Sequence, residues 1–230
     1  MIPKIIHYIW FGDPLKKPVE RINNWKKILP DFEFKEWGEK DFDFSKYQFA
    51  QRAYDAGKYG IAIDPFRAEI LCAQGGVWLD TDVVIHKDLT PFLEYSLFAG
   101  YEILAQFSVG VFGIISNSPY MTRVLSWYDE QWSNCGQVSS GALETKYREF
   151  ASPRVFKHSF IREYGWTPDG KSKTLETKDG PMRFEAPPVF TIRGDYGIEN
   201  YAEHLYEGSW MTGENISFYQ RVVNWQRGFS

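Results

Sequence analysis

Apolar positions in the first hundred residues of the chain switch between two periods. Residues 2–10 and 32–37 are short runs of apolar and aromatic side chains that read as strands. Residues 19–29 place Ile22, Trp25, Ile28 and Leu29 on one side of a helix, residues 47–56 form a second helical pattern, and residues 64–74 a third. Short strand runs then flank Asp80-Thr81-Asp82. Strand and helix alternate, which predicts an α/β fold: a mostly parallel central sheet flanked by helices, with ligands at the carboxyl ends of its strands. The later half is less regular. Residues 97–101 and 109–116 read as strands, 120–131 and 142–150 as helices, and 189–192 and 201–205 as late strands. Residues 168–181, rich in Gly, Lys, Thr and Asp, read as an exposed excursion. The tail over 218–229 carries aromatics and two Arg at mixed spacing, which fits packing on the core or resting at a membrane surface.

Composition narrows the class. With 230 residues, 43% of them hydrophobic, the chain suffices for one sizeable core and is short for two, so a single domain over 1–230 is expected. A net charge of -4 without a dense Lys/Arg block argues against nucleic acid as a partner. Cys72 and Cys135 make no disulfide framework, no run reaches the length of a membrane span, and no signal-like segment precedes the first strand; a cytoplasmic location is expected.

Asp80 and Asp82 carry the first candidate chemistry. They stand between Val77-Trp78-Leu79 and Val83-Val84-Ile85, where two ionised carboxylates are costly unless a positive charge compensates them. Hard oxygen ligands of this kind suit Mn2+ or Mg2+, with substrate phosphates completing the coordination. Asp-x-Asp alone is unspecific, and Asp41-Phe42-Asp43 is a second copy, in a polar stretch that reads as a solvated loop.

The helix over 64–74 supplies context. Asp64 before Pro65 reads as an N-cap with proline at the first helical position, and Gly75-Gly76 closes the helix. Asp64 and Arg67, three apart, share a face at the end whose N–H groups favour anions. A cation site, an Arg and a helix N-terminus within twenty residues point to a diphosphate site; the plainer alternative makes Asp64 a cap and Arg67 a surface charge.

Three segments together, residues 4–12 (Lys-Ile-Ile-His-Tyr-Ile-Trp-Phe-Gly), residues 63–71 and Gly75 to Asp82, resemble the glycosyltransferases that carry the DXD sugar-binding region. That family includes bacterial capsular-polysaccharide and lipopolysaccharide transferases, the yeast initiating mannosyltransferase and the glucosylating clostridial toxins. The likeness returns at residues 204–210 (His-Leu-Tyr-Glu-Gly-Ser-Trp), and departs from the family at Glu69, where relatives often have Asp, and at Leu205, where they often have a second His.

The resemblance implies a GT-A-like fold, with residues 1–100 forming the nucleotide-sugar half and 101–230 an acceptor half closed by a C-terminal lid. It implies that Asp82 binds the metal directly and that Asp80 serves ribose, sugar hydroxyl and second-shell metal contacts. Asp64, His7 and Trp10 would belong to the nucleotide-sugar site, although plain core packing is an equal reading of His7 and Trp10. His204 would meet metal or diphosphate, and Trp210 would cover the phosphates. The expected reaction is metal-dependent hexosyl transfer, with retention of anomeric configuration, from a nucleotide diphosphate sugar, UDP before GDP. The expected acceptor is a saccharide or lipid-linked oligosaccharide of a cell-surface polysaccharide, met at the cytoplasmic face of the inner membrane by an enzyme peripheral to it. Asp80, Asp82 and Arg67 are the candidate catalytic residues: a bridging metal and a bidentate Arg oppose the charge that develops on the departing diphosphate.

Two rival readings stand beside this. Leu79 to Val83 also fits the opening of haloacid-dehalogenase-type phosphatases, with Asp80 as phosphorylated nucleophile, Ser116 as strand-end Ser and Gly194-Asp195 as the last acidic motif. Only three apolar residues precede Asp80, however, and the motif stands far from the start of the chain. The other rival is a non-catalytic sugar- or metal-binding module.

Overall fold

The computed structural model describes residues 1–102, 106–134, 151–192 and 197–207. Its elements follow the order β1 (Ile5–Ile9), α1 (Val19–Ile28), β2 (Glu33–Trp37), α2 (Gln48–Asp55), α3 (Tyr59–Ala62), α4 (Asp64–Gln74), β3 (Gly76–Leu79), β4 (Val83–Ile85), β5 (Leu97–Tyr101), β6 (Phe107–Ile114), α5 (Pro119–Asn134), α6 (Ser152–Tyr164), β7 (Lys173–Thr177), β8 (Gly180–Glu185), α7 (Pro187–Phe190) and β9 (Ala202–His204).

Seven strands form one sheet in the order β2-β1-β3-β6-β5-β8-β7, while β4 and β9 pair in a separate small sheet. The α/β class and the helix-flanked sheet are as expected. The sheet itself is mixed: β1–β2, β1–β3 and β5–β8 are parallel, whereas β3–β6, β5–β6 and β7–β8 are antiparallel. Parallel order holds where helices connect the strands in the first half, and it is lost where β5 turns back into β6 through a short connection.

Period-two alternation assigns side chains to the two faces. Ile6, Tyr8, Val77, Leu79, Phe98 and Val111 pack on one face with Trp25 of α1 and Phe190 of α7. Ile9, Trp78, Leu97, Ala99, Phe112 and Ile114 pack on the other with Phe66 and Leu71 of α4, Tyr120 of α5 and Phe156 of α6. The turn from α4 into β3 needs both glycines. Gly75 has φ +64° and Gly76 φ +97°, and a Cβ on either would lie within 2.8 Å of backbone atoms of β6 or β1.

Two segments differ from their expected form. Residues 168–181 hold β7 and the start of β8, a hairpin whose second strand extends the main sheet beside β5. Residues 189–192, expected as a strand, follow Pro187-Pro188 into the short helix α7, since proline is compatible with the first turn of a helix. The helix expected over 142–150 and the tail over 218–229 lie outside the described residues. None of the described helices is long and apolar enough to cross a membrane.

Candidate active site

The carboxyl end of β3 opens into a cavity of about 290 Å3 lined by Trp10, Asp64, Arg67, Asp80, Asp82, Glu102, Ser152, His204 and Tyr206 among others. Asp80 and Asp82 enter it because β3 is a fully buried central strand that stops at Leu79, and Asp80 N–H still donates to Gly110 O at 2.9 Å.

His204 is brought to Asp82 by the small sheet. Val83 is the register partner of His204, and Leu205 N–H donates to Asp82 O at 2.9 Å. His204 Nε2 lies 3.0 Å from Asp82 Oδ1 and 3.9 Å from Asp80 Oδ2, and Glu207 N–H donates to Asp82 Oδ2 at 3.0 Å. Burial acts to raise the Asp82 carboxyl and to lower the His204 imidazole, but their mutual attraction and hydrogen bond outweigh it, so Asp82 is lowered and His204 raised. Both are therefore charged in the absence of a metal. A ligand atom from each of Asp80, Asp82 and His204 falls within 4.8 Å of the others, a spacing that a single cation can bridge. Two carboxylates and an imidazole make a donor set that fits a divalent cation.

Gly110 makes the cluster possible. A Cβ there would stand 2.9 Å from His204 Nδ1 and 3.3 Å from Asp80 Oδ2. It lies in a bulge: between the Ala99–Phe112 and Gly100–Ser108 pairs, residues 109–111 of β6 have no partner in β5.

Arg67 and Asp64 form the floor. Arg67 Nη2 donates to Asp80 Oδ1 at 2.8 Å, Nη1 donates to Ser152 Oγ at 2.9 Å and approaches Asp64 Oδ1 at 3.7 Å, and the guanidinium lies over the Trp78 ring at 4.8 Å. Trp78 Nε1 also donates to Asp80 Oδ1, at 2.7 Å. The alternative of Arg67 as a surface charge is excluded, since its side chain is 3% exposed. Asp64 does not cap its own helix. α3 leads directly into α4, with Arg67 N–H on Ile63 O, and the Asp64 carboxylate instead receives Ser152 N–H at 2.9 Å and Ser152 Oγ–H at 2.8 Å, capping α6 across the fold. Burial, eased by Arg67 and Ser152, pushes the Asp64 carboxyl up to about 6.

Trp10 lines the cavity, with its Nε1–H on Asp13 O. His7 does not. It is fully buried, with Nε2 2.9 Å from Gly75 O and Nδ1 receiving Trp37 Nε1–H at 3.3 Å, and burial lowers it to about 4. Of the two readings open for His7, this placement is the core one: a neutral imidazole tying β1 and β2 to the glycine turn. Glu69 is turned away from the cavity and paired with Lys46. Trp210, Gly194 and Asp195 lie outside the described residues.

Four participants were not legible in the sequence. Glu102 follows β5 and lines the same cavity as the DXD turn; burial pushes its carboxyl up to about 7, with the charges of His204, Asp80, Arg67 and Asp82 in play. Ser152 joins Asp64 to Arg67. Arg21 of α1 donates to Thr81 O and, at 2.6 Å, to Glu207 Oε1, fastening the DXD turn to the chain that follows β9. Gly110 alone had a local signal, a glycine inside an apolar strand run.

Asp80 as a phosphatase nucleophile fails on this geometry. β6 runs antiparallel to β3 with Ile114 opposite Gly76, so Ser116 lies at the start of β3, the end opposite Asp80. A mixed, helix-flanked sheet with two carboxylates and an imidazole at the end of a central strand is instead the arrangement of a GT-A-like glycosyltransferase fold. Residues 16–99 match the family described as "Glycosyltransferase sugar-binding region containing DXD motif", and Asp64, Arg67, Asp80 and Asp82 fall inside the matched residues.

Inositol phosphoceramide mannosyltransferase 3 of Schizosaccharomyces pombe is 30% identical over 129 residues, which are 54% of this chain and 36% of the relative. Mannosyl phosphorylinositol ceramide synthase SUR1 of Saccharomyces cerevisiae is 27% identical over 181 residues, 70% of this chain and 46% of the relative. The chain thus spans less than half the length of these two relatives. The solved structure titled "PaToxG Glycosyltransferase" shares the fold with a TM-score of 0.56 at 16% identity, over 70% of this chain and 69% of that one.

Proposed function

We propose that the chain transfers a hexose from a nucleotide diphosphate sugar to a hydroxyl of a saccharide or lipid-linked acceptor, in a reaction that depends on Mn2+ or Mg2+. The single observation that carries the reading is the meeting of Asp80, Asp82 and His204 in one cavity, with Gly110 leaving the space they need. When bound, a divalent cation there takes up charge that develops on the departing diphosphate. Asp82 and His204 would hold it, and Asp80, whose Oδ1 is fixed by Arg67 and Trp78, would keep its second oxygen for the cation or for a donor hydroxyl. The cationic Arg67 on the floor adds fixed positive charge beside the diphosphate. Trp10 offers an aromatic face to the base or ribose.

Residues 1–100 form the nucleotide-sugar half and residues 101–230 the acceptor half. The resemblance of residues 204–210 to the family's terminal motif supports a role for Trp210 at the diphosphate. UDP is the first nucleotide to test and GDP the second, and the names of the two yeast relatives put mannose among the sugars to test. Retention of configuration, an acceptor belonging to a cell-surface polysaccharide, and work at the cytoplasmic face of a membrane complete the proposal on the strength of the family likeness.

The test is a thermal-shift panel of UDP, GDP and their sugars with and without Mn2+, followed by donor hydrolysis and transfer. Mn2+-dependent stabilisation by one nucleotide and release of that nucleotide from its sugar is the expected result. No metal-dependent response to any of them would overturn the reading.

A further inference from the structure

Glu102 lines the same cavity as Asp80, Asp82 and His204 but comes from a different strand end. It follows the last residue of β5, and its backbone N–H donates to Gln106 O at 2.8 Å, which anchors it at the turn toward β6. β6 with its bulge at residues 109–111 lies between β5 and β3, so Glu102 reaches the cavity from the strand end on the far side of β6 from the DXD turn. Its carboxylate makes no hydrogen bond or ion pair with another side chain among the described residues, in contrast to Asp64, Asp80 and Asp82, each of which is held by at least two protein donors. A half-buried carboxyl opening into a cavity can take hydrogen bonds from a ligand that enters it.

The ligand's chemistry follows from the group. A carboxyl offers two oxygens, spaced to match two adjacent hydroxyls of a sugar or polyol as hydrogen-bond partners. A phosphate or carboxylate at the same place would meet like charge from the two carboxylates of the DXD turn, which line the same cavity. We propose that Glu102 binds the acceptor, accepting hydrogen bonds from vicinal hydroxyls of a neutral sugar or polyol ring and so presenting a hydroxyl to the donor. The assignment rests on the transferase reading above and adds the position and chemical class of the acceptor subsite.

Water can replace the acceptor in donor hydrolysis, which separates the two proposals. The full chain, Glu102→Gln and Glu102→Asp are each given Mn2+ and the nucleotide sugar that the unmodified chain hydrolyses fastest. Hydrolysis is measured alone, and transfer is measured with methyl α-mannoside and with myo-inositol. Glu102→Gln is expected to lose clearly more in transfer than in donor hydrolysis, its acceptor KM rising about tenfold or more, with Glu102→Asp between it and the unmodified chain. Equal losses in hydrolysis and transfer would place Glu102 in the donor site, and unchanged transfer kinetics would remove it from the site; either result overturns the acceptor assignment and leaves the transferase reading standing. Absence of both Mn2+-dependent nucleotide binding and hydrolysis in the unmodified chain would overturn the transferase reading, and the acceptor assignment with it.

Discussion

His204 Nε2 and Asp82 Oδ1 are 3.0 Å apart although 122 residues separate them in the sequence. The contact ties β9 to the DXD turn and doubles as two-thirds of the candidate cation site. Asp82→Asn should therefore act twice. A neutral amide opposes a cation poorly, so Mn2+ affinity, read by calorimetric titration of the full chain, should fall at least tenfold to a hundredfold. The same change weakens the pairing with His204 and should cost about 2 kcal/mol in the metal-free chain by urea unfolding. This is below the range for a fully buried pair because Asp82 retains 19% exposure. Unaltered Mn2+ affinity would sink the metal assignment whatever the stability result.

Arg67 makes the larger structural contribution. Its fork joins Asp80 of the DXD turn to Ser152 of α6, and Asp64 lies against it. Arg67→Ala leaves two acidic groups without their cation in a buried setting, and should cost about 3 to 5 kcal/mol of stability. Arg67→Lys should recover little, because a point charge cannot reach Asp80 and Ser152 together. Adding Asp64→Asn to Arg67→Ala should restore part of the loss, since the amide needs no counter-charge. Additive losses in that double variant by urea unfolding would show that Asp64 and Arg67 are not coupled.

Local signals in the sequence had uneven reach. The apolar run ending in Asp80 and the Asp64-Pro65 helix start are short-range patterns, and they placed the DXD turn and α4 correctly. The Asp64 signal named the right residue for the wrong helix, because a carboxylate of the capping type serves whichever N–H groups the fold brings to it, here those of α6. His7 looked functional through its motif position, but a histidine at the centre of β1 is surrounded on both sides by core, and its partners Trp37 and Gly75 come from segments that no sequence period links to it. Glu102, Ser152 and Arg21 carried no local mark at all. Their roles arise only when β5, α6 and α1 converge on one cavity. The mostly parallel order expected for the sheet holds for β1–β2, β1–β3 and β5–β8, and β5 to β6 breaks it with a connection too short for a crossover.

Gly110→Ala tests the site with a single methyl group. Its Cβ would stand 2.9 Å from His204 Nδ1 and 3.0 Å from His204 Cε1, closer than side chains tolerate, and the ring is held by β9 and by Asp82. The imidazole should be displaced from the cluster, lowering Mn2+ affinity about tenfold or more, while overpacking at one position costs about 1 to 3 kcal/mol. Gly110→Ala with wild-type Mn2+ affinity would mean that His204 is not a ligand.

His7 gives a pH signature in stability. Burial lowers its folded value to about 4 from an ordinary 6.5. Between those values the unfolded chain binds a proton that the folded chain refuses, so stability rises with pH across this window; the contribution is complete above about 6.5 and is lost as pH falls toward 4. A difference of that size corresponds to about 3 kcal/mol. Asp64, raised to about 6, acts in the opposite sense over much of the same interval, since the folded state then binds the extra proton, and it flattens the profile of the unmodified chain. The comparison with His7→Gln removes this complication, because Asp64 contributes equally to both proteins. The unmodified chain should lose about 3 kcal/mol relative to His7→Gln when urea unfolding at pH 7 is repeated at pH 4. Parallel profiles for the two proteins would show that His7 is charged, or accessible, in the folded state.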